Sequence, residues 1–425
     1  MFVQQAKFCS LRVNKNFHLR SKFLVGIILF VFFVISFLTN IIGPLVPDII
    51  NAFNLSLSMA AFLPFSFFLA YGVMSIPSGF LVECIGEKKV MVLAFFISFC
   101  GALIFSINPN YLFYILSLFL IGTGMAMLQV SINPLLRNIG GEKEFAFNSV
   151  LGQLFFGLAS FISPLIYSYL ITRLSVGNEP SNFIFLFLKK ITFANLRWVS
   201  LYWIFATVSF LMCVTLIFTN FPEKKKPVRE NKEKQNNYLT IIKNPIVILY
   251  FFGIFSYVGL EQGVATWISK FLETYHSIDP QILGAKIISY FWGLMTLGTI
   301  SGLFLLKLID SRKILIFFTS SSIISFVLAV FGPQKVSLIL FPLVGFFIST
   351  MWSIIISLAL NSMSRDHGAF SGILVSGIIG GAVFPLIIGI IADFAGLKVG
   401  ITLLLIPLLF ILTIGIWSNP IVNNR

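Results

Sequence analysis

Twelve apolar runs, each about the length of a bilayer crossing, divide the chain. A helix needs about 20 predominantly apolar residues to cross the hydrocarbon core of a membrane. Runs of that size are read at 23–45, 58–82, 89–108, 111–136, 147–172, 198–219, 245–269, 284–308, 313–332, 336–362, 368–392 and 398–418. They predict an all-α membrane protein, because a helix satisfies its own backbone polar groups in lipid. The long polar link at Phe221–Thr240 splits the twelve runs six plus six. The expected organisation is a tail at 1–22, a six-helix bundle at 23–220, a linker at 221–244 and a second bundle at 245–425.

Composition excludes a water-soluble fold. Hydrophobic residues make up 58% of the 425 and charged residues 10%, whereas soluble chains carry roughly 25% charged residues. Fifty phenylalanines need burial in protein or lipid.

Charge then orients the runs. The formal net charge is +14, but the basic residues sit in short clusters between runs, so nucleic acid is not an expected partner. Lys88 and Lys89 follow the second run, and Arg312 and Lys313 follow the eighth. Lys224, Lys225, Lys226, Arg229, Lys232 and Lys234 fill the long link. The positive-inside rule puts these links, and with them both termini, in the cytoplasm. Segment 173–197 is the exception, with Arg173, Lys189, Lys190 and Arg197 on the expected outer side. Its apolar stretch Phe183–Phe187 is expected to lie on the membrane surface. The first run follows five basic residues, as a signal peptide would. It is long enough to span and no small-residue cleavage site follows, so it reads as a spanning helix.

The two halves repeat. Ser78–Phe95 reads SGFLVECIGEKKVMVLAF and Ser301–Phe318 reads SGLFLLKLIDSRKILIFF, aligned without gaps at an offset of 223. Ser163-Pro164-Leu165-Ile166 and Phe384-Pro385-Leu386-Ile387 match at an offset of 221. Two matches at nearly one offset argue for duplicated six-helix halves, an architecture that places a binding site near the midplane between them.

Polar residues within the runs are the candidate site. Gln129 and Asn133 are four apart on the fourth run, hence on one helix face. Their amides suit a polyhydroxylated solute, although amides in membranes also bond neighbouring helices. Asn40, Gln153 and Gln262 are further candidates with the same two readings. Trp267, Trp292 and Trp352 can stack on a sugar face or anchor helices. Glu261 reads as the only acid well inside a run. An ionised carboxylate in hydrocarbon is costly, so it should face a cavity, pair or bind a proton. That makes it the candidate for ion coupling. No phosphate-binding loop, metal-ligand spacing or nucleophile–base pairing is present, and Cys9, Cys84, Cys100 and Cys213 lie far apart. No enzyme activity, catalytic residue, cofactor or metal is therefore expected, and the absence of a nucleotide motif argues against a primary pump.

Gly79–Lys89, G-F-L-V-E-C-I-G-E-K-K, resembles the signature between helices two and three of the major facilitator superfamily. Gly79, Glu83, Gly86, Lys88 and Lys89 hold its positions, with Glu83 for the usual aspartate and Cys84 for a common basic residue. Glycine would permit close helix approach, and the charges would clamp helix ends. Within that superfamily the chain is similar to the fucose/glucose/galactose symporter branch. The runs that carry the likeness are Phe370–Pro385 (FSGILVSGIIGGAVFP), Leu128–Pro134 (LQVSINP), Ser349–Ala359 (STMWSIIISLA) and Tyr257–Glu261 (YVGLE) ahead of Trp267. The resemblance implies twelve helices in two pseudo-symmetric bundles and alternating access. It also implies symport of a hexose or deoxyhexose with a proton or sodium ion across a bacterial inner membrane, by a monomer. By it Asn40, Gln129, Asn133, Gln153, Gln262 and Trp267 are expected to bind solute, and Glu261 to couple an ion. Four positions depart from the branch. Gly43 stands at the embedded aspartate of the branch's fucose symporters and Gln129 at their glutamate, a substitution that sugar transporters of the branch also show; Phe156 stands at an asparagine and Ser353 at the helix-ten proline. A non-sugar solute or an uncoupled facilitator is the alternative these departures leave open.

Overall fold

A computed structural model of the chain describes residues 22–141, 145–174, 182–193, 195–221, 243–362 and 367–418. The tail expected at 1–22 and the linker expected at 221–244 lie almost wholly outside the described residues. Twelve helices are long and apolar enough to cross a membrane. They are α1 Lys22–Phe53, α2 Leu57–Ile85, α3 Glu87–Ile107, α4 Tyr111–Gly140, α5 Phe147–Leu174, α6 Arg197–Phe218, α7 Pro245–His276, α8 Pro280–Leu308, α9 Ser311–Phe331, α10 Gln334–Asn361, α11 Gly372–Ala395 and α12 Leu397–Trp417.

Most helix ends lie within a few residues of those read from hydropathy. The exceptions are the far ends of α1 and α7, which run 8 and 7 residues past the expected 45 and 269. The extensions carry Pro47, Asp48 and Asn51 in α1 and Lys270, Glu273 and His276 in α7, which interrupt the apolar run without ending the helix. A short helix, Phe183–Ile191, joins α5 to α6. Phe183, Ile184 and Phe187 on it are exposed and only Leu188 is buried.

The buried apolar side chains form two clusters, one mainly from α1–α6 and one mainly from α7–α12. Packing within the bundles repeats. The pairs α2·α4, α3·α4 and α3·α6 recur as α8·α10, α9·α10 and α9·α12. Matched glycines explain the first of these. A Cβ on Gly122 would collide with the Phe67 carbonyl, and one on Gly345 would collide with the Phe291 carbonyl. Only glycine lets these backbones come so close in lipid, where helix association relies on small residues. Gly122 and Gly345 are offset by 223, the spacing of the sequence repeat.

The bundles meet along α1·α7, α2·α11 and α5·α8. With twelve crossings, the end of α6 at Phe218 and the start of α7 at Pro245 lie on one face (the linker face) and the α1–α2 turn on the other (the distal face). Gly43 of α1 touches the Ala265 carbonyl of α7 so closely that no Cβ would fit. Gln281 donates from its Nε2 to Asp48 Oδ1 across the bundles at 2.8 Å. Asp393 of α11 accepts from the Leu57 and Ser58 amides of α2 at 2.8 and 3.0 Å. Ser289 of α8 donates to the Phe161 carbonyl of α5 at 2.5 Å. All four contacts lie between the midplane and the distal face, so the distal mouth is closed.

Candidate functional site

Several helices are interrupted near mid-membrane. The α1 span breaks at Asn40–Ile41, α10 at Ser349–Thr350, and α11 tightens into a 3-10 turn at Gly377–Ile379. Breaks of this kind, at the interface of repeated halves, are where transporters hold solute and ions.

In the first bundle, Asn40 is drawn inward. Its Nδ2 donates to Ser160 Oγ at 2.8 Å and Ser36 Oγ at 3.2 Å. The two serine hydroxyls are themselves 2.6 Å apart. Asn40 thus stitches α1 to α5, with its amide N–H groups committed there. Gln129 differs. It is half-buried, and its Oε1 is enclosed with no hydrogen-bond partner among the described residues. Asn133, one turn along α4, and Gln153 on α5 are exposed.

In the second bundle, the turn of α7 from Tyr257 to Gln262 gathers polar groups. Gln262 is buried and donates from Nε2 to Glu261 Oε1 at 2.9 Å. Tyr257 stands one turn earlier on the same helix and is buried. The Tyr257 ring lies beside Trp352, with centroids 6.0 Å apart. Trp352 follows the α10 break by two residues, so the break sets that indole. The structure therefore brings Tyr257, Glu261, Gln262 and Trp352 together. No hydrogen bond joins this group to Gln129 among the described residues. Trp292 on α8 is buried, and its indole N–H also lacks a partner among the described residues.

Trp267 stands apart from that group. It is fully buried and its Nε1 donates to the Pro385 carbonyl of α11 at 3.3 Å. The indole fastens α7 to α11 and presents no open face.

Asp48 was not legible as an embedded acid, and Glu261 is not the only one. The α1 helix continues through Pro44 and Pro47 to Phe53, leaving Asp48 buried. Its carboxylate accepts from the Tyr167 hydroxyl of α5 as well as from Gln281. Two prolines and an acid read as a helix end. The buried residues Leu45, Val46 and Ile49 keep helical spacing across them and were the signal for continuation. A depression of about 600 Å³ beside Asp48, Glu273 and Asp279 opens at the distal mouth.

The signature link behaves differently from expectation in one respect. Gly79 has no atom within 4 Å of where a Cβ would stand, so no helix approaches it here. Gly86 has φ +85°, a conformation that favours glycine and makes the tight α2–α3 turn. Glu83 and Lys89 are exposed. The clamp is made by Lys88, which donates to the Ile217 carbonyl at the end of α6 at 3.0 Å. Arg312 does the same to the Ser418 carbonyl after α12 at 3.3 Å. Cations satisfy helix C-terminal carbonyls and complement the dipole, so each bundle carries the same fastening.

Two repeated six-helix bundles, closed at one mouth and holding polar groups at broken helices, define a polytopic membrane transporter. The sequence matches the Major Facilitator Superfamily over residues 28–378, and the chain belongs to that superfamily. It is 28% identical over 398 residues to a glucose/galactose transporter of Brucella abortus, covering 91% of each chain. It is 23% identical over 380 residues to the L-fucose-proton symporter of Escherichia coli, covering 86% of each. The crystal structure of that fucose symporter in the outward conformation superposes with a TM-score of 0.66 at 20% identity, covering 93% of this chain and 98% of the other.

Proposed function

We propose that this chain carries a hexose or deoxyhexose by alternating access, with symport of a proton. The observation that carries the solute reading is Gln129. A buried acceptor without a partner is expensive, and a sugar hydroxyl is a donor of the right kind to relieve it. Asn133 and Gln153 supply further amides in the first bundle, and Trp352 with Gln262 supplies a stacking face and an amide in the second. The sugar-transporting relatives named above support the same class. Glu261 is the coupling group in this reading. It sits among solute candidates, is half-buried, and among the described residues accepts from Gln262 and pairs with no cation, so it is free to exchange a proton. Asn40 and Trp267 support the site from behind it. The protein acts as a monomer in a bacterial inner membrane, with the linker face cytoplasmic, as the basic linker supports. Uptake of labelled glucose, galactose and fucose into proteoliposomes, under imposed proton or sodium gradients, tests the proposal. Accumulation driven by an inward proton gradient is expected. Accumulation driven by sodium alone refutes the proton assignment, and no uptake of any sugar refutes the solute class.

A further inference from the structure

Helix α2 begins at the distal face with amides on Leu57, Ser58 and Met59 that no preceding turn can satisfy. The chain's own N-cap supplies a partner for one, Ser56 Oγ accepting from the Met59 amide at 3.2 Å, before the regular bond from the Ala60 amide to the Ser56 carbonyl. The other two, on Leu57 and Ser58, are taken by the carboxylate of Asp393, one oxygen each, at 2.8 and 3.0 Å. Asp393 belongs to the other bundle, at the last turn of α11. The cap of one half is thus a side chain of the other.

The neighbouring packing shows why the carboxylate reaches. Gly389 lies one turn before Asp393 on α11. A Cβ there would press on Ala61 and on the Leu57 carbonyl, at 2.6 and 2.7 Å. Glycine lets α11 lie directly on the first turn of α2. An anion at a helix N-terminus is favoured both by hydrogen bonding and by the helix dipole.

We propose that Asp393, by capping α2 from the opposite bundle, is the latch that holds the distal mouth shut and lets go each time that mouth opens. The contact cannot survive separation of α2 from α11, because its two partners ride on different bundles. Asp393 is exposed, so water replaces it at modest cost. A latch of that strength biases the closed state without trapping it. This inference rests on the alternating-access reading but not on the identity of the solute.

The test reads the mouth rather than the flux. In a background with the native cysteines replaced by serine, Met59→Cys and Thr274→Cys carry spin labels on the two bundles at the distal face. Their distance distribution is measured without solute by pulsed electron resonance in nanodiscs. Asp393→Ala should raise the ratio of open to closed populations by roughly three- to thirtyfold, the range for loss of a helix cap. Asp393→Asn keeps the size of the side chain and one carbonyl acceptor, and should give a smaller rise in a variant that folds readily. A ratio within twofold of the parent in both variants overturns the latch. Because no sugar is present, a protein that fails to carry sugar still returns a result here, so this inference and the proposed solute fail separately.

Discussion

Replacing Gln129 by leucine should move stability and affinity in opposite directions. The side chain is half-buried and its Oε1 is enclosed without a partner among the described residues. An unsatisfied buried acceptor costs about 1–3 kcal/mol. Partial burial of the residue places Gln129 near the lower end, at about 1 kcal/mol. Leucine keeps the bulk and removes the orphan, so the empty protein should become more stable by about that amount. A bound sugar hydroxyl would in turn lose its acceptor, which weakens binding by about 1–3 kcal/mol, or roughly tenfold or more in affinity. Thermal unfolding with and without sugar separates the two effects. The variant should melt above the parent when empty and gain much less from added sugar. If it melts below the parent and binds sugar within twofold of it, the amide is holding helices together and the site is misplaced.

Glu261→Gln should abolish accumulation driven by an inward proton gradient while leaving solute counterflow intact, since exchange moves no net proton; equal accumulation by variant and parent would remove Glu261 from coupling. Trp267→Phe should lower thermal stability by about 0.5–1.5 kcal/mol through loss of the bond to the Pro385 carbonyl, with sugar affinity within twofold of the parent. A large loss of affinity at unchanged stability would return Trp267 to the binding surface. Single cysteines at Asn182 and Lys243 report orientation in intact cells: an impermeant thiol reagent should label the first and not the second, and the reverse pattern would invert the topology. Gly122→Val and Gly345→Val should each lower the yield of folded protein, since both drive a side chain into a backbone carbonyl of the neighbouring helix. A normal yield from either would contradict the matched packing.

Hydrophobic length alone determined that this chain crosses a membrane twelve times, because the bilayer demands apolar runs of one size and composition. The duplication was legible too, in Ser78–Phe95 against Ser301–Phe318, since both halves answer the same packing demand. What the sequence could not decide was where each polar side chain points. Asn40 and Gln129 are both amides in apolar runs. One is spent on Ser36 and Ser160, and the other keeps a carbonyl oxygen unpartnered. Trp267 and Trp352 are both indoles beside a polar turn, yet the first is bonded to α11 and the second faces Tyr257. Asp48 was hidden because prolines and an acid end an apolar run without ending a helix whose partners lie on α5 and at the start of α8. The reach of Asp393 to α2 spans 336 positions of sequence. Contacts of that kind depend on how two bundles dock, and docking is set by glycines such as Gly43 and Gly389, whose role appears only when the opposing backbone is in place.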